Sequence, residues 1–152
     1  MTIKNSQTVS LMAPVPSFHL DSGLETLQEE GGVLFASNAF SVFHQLESTR
    51  KGQSVTVWIY ESHQNSKAVI KWKGTYVGYV SSDDRGQMKL MKRLRPKSTK
   101  NDGHTAVYWQ LNQLEKLEEP ISVTKSFGFR NRKSFKSNYI PQGPTIIEPY
   151  GG

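Results

Sequence analysis

The chain has 152 residues, with 19 Lys and Arg, 13 Asp and Glu and no cysteine, and its net charge is +6. This length fits one domain, and the lack of cysteine excludes disulfides, thiolate catalysis and Cys-ligated zinc. The four histidines stand in no metal-binding spacing, so neither a metal nor another cofactor is predicted. No apolar run approaches the roughly 18 residues that cross a bilayer, and residues 5–8 are polar where a signal peptide is apolar, so we expect a cytoplasmic protein without a membrane partner.

Proline and glycine mark both ends of the chain. Residues 1–17 contain Pro14 and Pro16 among polar residues, and residues 141–152 hold three prolines and three glycines. These compositions predict a flexible N-terminal arm over 1–17, a single folded domain over 18–140 and an extended C-terminal tail over 141–152.

A helix and a strand are predicted first. Asn38 suits a helix N-cap, and apolar residues recur at helical spacing after it until Lys51 and Gly52 end the pattern. Residues 54–61 are rich in β-branched and aromatic residues and predict a strand. Alternation would separate its side chains into two faces, one with Val55, Val57 and Ile59 and the other with Trp58 and Tyr60.

Strand-like runs continue along the chain. Residues 67–72 and 75–80 meet near Gly74 and predict either a hairpin or one long strand bent at the glycine. Residues 86–95 largely alternate between apolar and cationic side chains, which predicts a strand with one solvated face. That face would carry Lys89, Arg93 and Arg95.

The last predicted elements are short. Residues 105–110 predict a strand, the leucines at 111, 114 and 117 a short helix that ends before Pro120, and residues 121–124 a final strand. At least five short strands with two or three helices indicate an α+β fold. We expect a small, mostly antiparallel β-barrel of five to seven strands, or a curled sheet closed by helices.

Positive charge is concentrated in the second half of the chain. Residues 1–66 carry 3 basic and 6 acidic side chains, a net charge of −3, whereas residues 67–152 carry 16 and 7, a net charge of +9. Residues 85–101, here called the basic segment, contain seven cations and no acid. Residues 125–139, here called the aromatic tail, contain five cations among four aromatic residues and again no acid.

These two segments favour nucleic acid as the partner. Phosphate binding needs several cations that approach a backbone together, and aromatic side chains offer surfaces on which bases stack. The predicted contacts are Lys89, Arg93, Arg95, Lys97, Lys100, Arg130, Arg132 and Lys133. The same pattern is also typical of a solvated face with a tail anchored by its aromatics, and an acidic protein would respond to the same field.

Sequence signatures of common enzymes are absent. The chain has no P-loop, dinucleotide-binding glycine motif, nucleophile elbow or zinc-hydrolase motif. The pair Asp83-Asp84, followed by Arg85-Gly86, indicates a turn between strands rather than an acid–base pair. Catalysis is therefore not predicted, although catalytic residues need only meet in space, and whether the protein is an enzyme stays open.

Five stretches, taken in order, carry a resemblance to a known superfamily. They are VLFASNAFSVFHQL, KGQSVTVWIYES, GTYVGYVSS, MKLMKRLRP and VYWQLNQLEKLEEPI. In this order they resemble the PUA-like superfamily, in particular its EVE, ASCH and YTH branches. The resemblance covers roughly residues 32–124.

The resemblance implies a β-barrel with flanking helices that binds RNA or DNA, and we expect this chain to do so without catalysis. In this superfamily a flipped or modified base often enters a pocket beside the first strand and helix. Matching positions place five residues at that base pocket: Phe35, Ser37 and Asn38 at its edge, and Trp58 and Tyr60 on its wall. Asn38 also retains its plainer interpretation as the helix N-cap.

Two alternative functions stay open. ASCH relatives include hydrolases that use a lysine and a glutamate, so a hydrolase or nuclease would pair Lys71 or Lys73 with Glu61, residues that also fit a surface ion pair. A basic interaction or inhibitor protein that docks on an acidic partner is the other alternative. The oligomeric state is not predicted.

Overall fold

The computed structural model describes residues 5–6, 8–61, 69–99, 105–122 and 143–149. In chain order the elements are β1 (Ser10–Val15), α1 (Ser17–Glu30), β2 (Val33–Ser37), α2 (Phe40–Arg50), β3 (Val55–Glu61), β4 (Val69–Ser81), α3 (Arg85–Met91), two 3₁₀ turns (Lys92–Leu94 and Lys97–Thr99), β5 (Val107–Ser122) and β6 (Thr145–Ile147). Within these ranges, no helix is both long enough and apolar enough to cross a membrane.

The six strands form one sheet in the order β2-β5-β4-β3-β1-β6. Among the described strands, β1 and β3 pair in parallel, and the other neighbours are antiparallel. The predicted α+β class with a mostly antiparallel sheet is therefore confirmed. The predicted closed barrel is wrong, because β2 and β6 are edges and the described strands supply no further partner for either.

Two features explain why the sheet curls without closing. Register shifts interrupt the β3–β4 and β4–β5 pairings, and such bulges bend a sheet and increase its twist. The edge at β2 is covered at Leu34 by one side chain of the basic segment, since Arg95 Nη1 donates a hydrogen bond to the Leu34 carbonyl oxygen at 2.7 Å. An edge position covered in this way is not available to pair with another strand.

The main hydrophobic core lies between the sheet and the helices α1 and α2. Leu20 of α1 and Phe43 and Leu46 of α2 pack there against alternate residues of the strands. The predicted separation of faces in β3 is confirmed, because Val55, Val57 and Ile59 all belong to this core. Residues of the other face of β3 join a second cluster, which contains Met12, Trp58, Tyr60, Ile70 and Ile147.

A polar cluster ties α2 to the sheet. Arg50 makes two hydrogen bonds with the Glu47 carboxylate, at 2.6 and 2.9 Å, and the Tyr76 hydroxyl donates to Glu47 Oε2 at 2.8 Å. The hydrogen bond to Glu47 raises the pKa of Arg50, and burial together with the Glu47 carboxylate raises the pKa of Tyr76. This cluster stabilises the contact between α2 and β4.

Both chain ends differ from the predicted arm and tail. Residues 10–15, expected in the flexible arm, form the almost completely buried strand β1. Its prolines lie at and just beyond the end of the strand, where they do not prevent pairing with β3. In the predicted tail, the strand β6 pairs with β1, and Ile146 and Ile147 are buried.

Three internal elements also differ from expectation. Residues 85–91 form α3 rather than a strand, and Asp84 caps this helix by accepting a hydrogen bond from the Gln87 amide at 3.1 Å. Residues 111–117 continue β5 rather than form a helix. The helix α1 was not predicted, although Leu20, Leu24 and Leu27 recur at helical spacing in it.

Of the two alternatives at Gly74, the structure has one long strand, β4. A Cβ atom at position 74 would lie 2.9 Å from Leu111 Cδ1 and 3.0 Å from the Gln113 carbonyl oxygen. Glycine is therefore required there because β5 approaches the β4 backbone too closely for a side chain.

Candidate nucleic-acid interface

A cavity of about 230 Å³ opens between the ends of β1 and β2. These strands are fifth and first in the sheet order, so the curl of the sheet brings them to one cavity. The apolar walls come from Pro14, Val15, Pro16, Phe35 and Ala36, and the polar lining comes from His19, Arg95, Thr99 and Thr105. We call this space the β1–β2 cavity.

Phe35 contributes an aromatic ring to the lining of the β1–β2 cavity, with 2% of the residue exposed. Its side chain is buried and packs against Trp109 with ring centroids 5.3 Å apart. On the side of α1, a Cβ atom at Gly23 would lie only 2.7 Å from Phe35 Cζ. Because Gly23 has no side chain, α1 packs directly on the Phe35 ring, and this contact holds the ring in place.

Arg95 stands at the polar edge of the cavity. Besides its hydrogen bond to the Leu34 carbonyl oxygen, its guanidinium lies over the Tyr108 ring, 4.8 Å from the centroid. A stacked and hydrogen-bonded guanidinium keeps its charge and a fixed orientation. Arg95 thus places a positive charge at the cavity from the covered edge of β2.

The remaining polar groups of the cavity are short side chains and a histidine. His19 Nδ1 lies 2.6 Å from Ser98 Oγ, and the Ser98 amide donates to Ser22 Oγ at 3.1 Å, which fixes the imidazole between α1 and the second 3₁₀ turn. Thr99 donates its hydroxyl to the Pro96 carbonyl oxygen. Thr105 Oγ1 is buried and has no hydrogen-bond partner in the described part of the chain.

The structure separates the predicted base-pocket residues. Phe35 lines the β1–β2 cavity, whereas Trp58 and Tyr60 belong to the second cluster on the opposite face of the sheet. Strand alternation is the reason, because Val57 and Ile59 are the residues of β3 that share the core with Phe35. The predicted wall of Trp58 and Tyr60 beside Phe35 is therefore not formed.

Ser37 and Asn38 hold the loop between β2 and α2. Ser37 Oγ accepts a hydrogen bond from the Ala39 amide at 3.0 Å, and Asn38 Oδ1 accepts one from the Ala106 amide at 3.0 Å. The N-cap position of α2 is Ala39 rather than Asn38. Asn38 instead connects this loop to the start of β5, close to the cavity residue Thr105.

The predicted phosphate contacts divide between described and undescribed parts of the chain. Lys100, Arg130, Arg132 and Lys133 lie outside the described residues, as does the aromatic tail. Lys89, Arg93 and Lys97 are exposed, and Arg95 is half-buried. Lys89 lies on α3, Arg93 and Lys97 lie on the two 3₁₀ turns, and Arg95 follows the first turn. The predicted single face of a strand is therefore wrong, but the segment still contains six cations over residues 85–97.

Two glutamates that sequence reasoning missed face the basic segment. Arg93 Nε lies 3.3 Å from Glu30 Oε2, and Lys97 Nζ lies 4.0 Å from Glu29 Oε1. Both acids come from the last turn of α1, which the sequence prediction did not include. All four side chains are at least about one-third exposed, so these ion pairs are weak and exchangeable.

Phe18 is a second missed residue. Its side chain is 59% exposed, and its ring centroid lies 4.2 Å from that of the cavity residue His19. On α1, Phe18 shares the spacing of Ser22, Glu25 and Glu29, which is the polar face of the helix. A phenylalanine in phase with polar residues is the sequence signal that would have identified it.

Other candidate sites lie away from the basic segment. Lys71 Nζ is 3.8 Å from Glu61 Oε2, but neither residue lines the β1–β2 cavity. A larger hollow of about 350 Å³ lies along β4 and β5, where Thr75 and Gln113 already hydrogen-bond each other at 3.0 Å. Within the described ranges, no group of three His, Asp or Glu side chains is placed to hold a metal ion.

The chain matches no family model, and no curated protein is detectably similar to it. The resemblance to the PUA-like superfamily therefore stays a prediction. The fold itself is established at a coarser level, as an α+β domain with an open, curled six-stranded sheet.

Proposed function

We propose that the protein binds nucleic acid without catalysis, taking one base into the β1–β2 cavity while the basic segment contacts the phosphates. One observation carries the proposal: Arg95 belongs to the acid-free basic segment and also lines a cavity whose wall includes the Phe35 ring. The phosphate-binding and base-binding elements are thereby joined in one place.

The size and lining of the cavity suit a single heterocyclic ring. Its volume of about 230 Å³ is below the roughly 300–1,000 Å³ of pockets that enclose drug-sized ligands, so a base would enter and its sugar and phosphate would stay outside. Flat apolar walls with a few polar groups are what a flipped base requires. Phe35 contributes to the apolar lining, and a base that reaches the buried Thr105 hydroxyl would find a group that both donates and accepts hydrogen bonds.

The surroundings of the cavity suit a polyanion. Lys97 lies two residues beyond Arg95 with a side chain that is 79% exposed, and Arg93 is 59% exposed. Exposed ion pairs contribute little, so phosphates can replace Glu29 and Glu30 as partners of these cations. Phe18, beside His19, offers an exposed ring on which a neighbouring base can stack.

The proposal is tested by the salt dependence of binding. Binding to fluorescein-labelled single-stranded DNA and RNA would be measured by anisotropy between about 50 and 200 mM salt. The logarithm of the affinity falls linearly with the logarithm of the salt concentration, and each phosphate contact to a single strand contributes about 0.7 to the size of this slope. Replacing Lys89, Arg93 and Lys97 together with Gln should reduce the slope by about 2 and weaken binding at every salt concentration.

A matched control removes the same charge elsewhere, by replacing Lys51, Lys71 and Lys116 with Gln. This triple variant should bind more tightly than the first one. Undetectable binding of the wild type at low salt, or equal losses in both triple variants, would refute the proposal.

A further inference from the structure

Leu90 is the most exposed large hydrophobic residue in the described part of the chain. It is 70% exposed, more than Phe18 or Phe40, and α3 as a whole has no buried residue. Packing of the described core therefore does not account for a leucine at this position. Its nearest neighbours along the chain include the cations Lys89, Lys92 and Arg93.

Leu90 precedes the cavity residue Arg95 by five residues in the chain. Arg93 Nη1 donates a hydrogen bond to the Leu90 carbonyl oxygen at 2.9 Å, and Arg95, two residues further, lines the cavity. The Asp84 cap fixes the start of α3 on the other side of Leu90. The leucine therefore stands on the same short segment as the charged edge of the cavity.

Resting on the proposed function, we propose that Leu90 inserts into the base stack of a duplex whose phosphates the basic segment contacts. Removing a base from a duplex costs unstacking and unpairing, and apolar side chains that wedge between base steps are a known means of opening a stack. A duplex has negatively charged phosphates outside and an apolar base stack inside. The cations around Leu90 are complementary to the phosphates, and the leucine is complementary to the base stack. The acids near it are Asp83 and Asp84, before α3, and Glu30, which pairs with Arg93.

The inference predicts that Leu90 contributes to duplex binding and not to single-strand binding. Affinities would be measured by anisotropy for the wild type, Leu90→Gln and Leu90→Met, each with one labelled single strand and with its DNA and RNA duplexes. Leu90→Gln should weaken binding to a duplex about tenfold, the order expected when a leucine loses its apolar burial, and should change single-strand binding less than twofold. Leu90→Met should retain duplex binding, because methionine is also an apolar wedge. A side chain so exposed does not affect folding, which a melting curve would verify.

The outcomes separate this inference from the proposed function. Single-strand binding that depends on the basic segment, with no effect of Leu90→Gln on either duplex, would overturn the inference and leave the proposed function intact. Failure of the wild type to bind any oligonucleotide would overturn both. If the protein sedimented with vesicles of anionic phospholipid in a manner that depends on Leu90, and Leu90→Gln did not change duplex binding, the inference would be overturned in favour of a membrane contact.

Discussion

Glu29 and Glu30 should act as internal competitors of nucleic acid, and replacing both with Gln should tighten binding. Their carboxylates lie 4.0 Å from Lys97 Nζ and 3.3 Å from Arg93 Nε, beside the basic segment. Incoming phosphates must displace these acids or tolerate them nearby. The double variant frees two cations and removes two negative charges from the path of the phosphates.

The expected gain follows from the exposure of the two pairs. Two unit charges 4 Å apart in water interact with about 1 kcal/mol, and exposed ion pairs contribute about 0.2–1 kcal/mol each. Two such pairs give a gain of about 1 kcal/mol, or roughly fivefold tighter binding at low salt. The free energy of unfolding should change by less than about 1 kcal/mol, because acids in the last turn of α1 oppose the helix dipole and their removal offsets the lost pairs.

Anisotropy titrations at about 50 and 200 mM salt would measure this effect, and the gain should shrink at the higher concentration because salt screens exposed charges. Glu25→Gln is the matched control, since Glu25 lies one turn earlier on the same face of α1 and is exposed. Unchanged or weaker binding by the double variant, or an equal gain in Glu25→Gln, would refute the reasoning.

Three further predictions concern the core, the cavity wall and the cavity lining. Tyr76→Phe should lower the free energy of unfolding by about 1 kcal/mol at neutral pH, because the hydrogen bond to Glu47 is lost. Burial raises the pKa of Tyr76, so its contribution to stability is complete below the unfolded pKa of about 10 and declines above it. Denaturant curves should therefore show a smaller loss of stability at alkaline pH in the variant than in the wild type. Gly23→Ala should lower the melting temperature and weaken oligonucleotide binding, because the added Cβ displaces the Phe35 ring. The control Gly86→Ala should lower neither the melting temperature nor the affinity, because a Cβ there would meet nothing nearer than 3.9 Å. Thr105→Val should leave stability unchanged or higher, because it removes a buried hydroxyl without a described partner, and it should weaken oligonucleotide binding several-fold. Thr99→Val should instead destabilise the protein, because it breaks the hydrogen bond to the Pro96 carbonyl oxygen.

Each of these three has an outcome that contradicts it. If the stability of Tyr76→Phe fell at alkaline pH as steeply as that of the wild type, Tyr76 would not be a cause of the pH dependence of stability. Normal stability and binding in Gly23→Ala would show that the Phe35 ring is free to move. Unchanged binding in Thr105→Val would exclude its hydroxyl from base contact.

Local patterns predicted the parts of the fold whose own side chains determine them. The alternation of Val55, Val57 and Ile59 against Trp58 and Tyr60 predicted both faces of β3, and the spacing up to Leu46 predicted α2. The leucines at 111, 114 and 117 misled for a physical reason. They belong to a strand of 16 residues whose pairing with β4 contains register shifts, so simple alternation is lost.

The candidate site was predicted only in its components. Phe35 and Arg95 were both expected to contact nucleic acid, but in separate parts of the interface, and their meeting at one cavity depends on the curl of the sheet and on Arg95 covering the edge of β2. Glu29 and Glu30 were missed because α1 was not predicted. Long-range pairing of this kind is not visible in a single sequence, since neither residue's local pattern depends on it.

The central claim, that a base enters the β1–β2 cavity, is tested most directly by an NMR titration of the ¹⁵N-labelled protein with a single-stranded oligonucleotide. The account predicts the largest amide shifts at Ala36, Thr99 and Thr105, together with a shift of the Arg95 Nε resonance. Shifts confined to the hollow along β4 and β5, around Thr75 and Gln113, would contradict it.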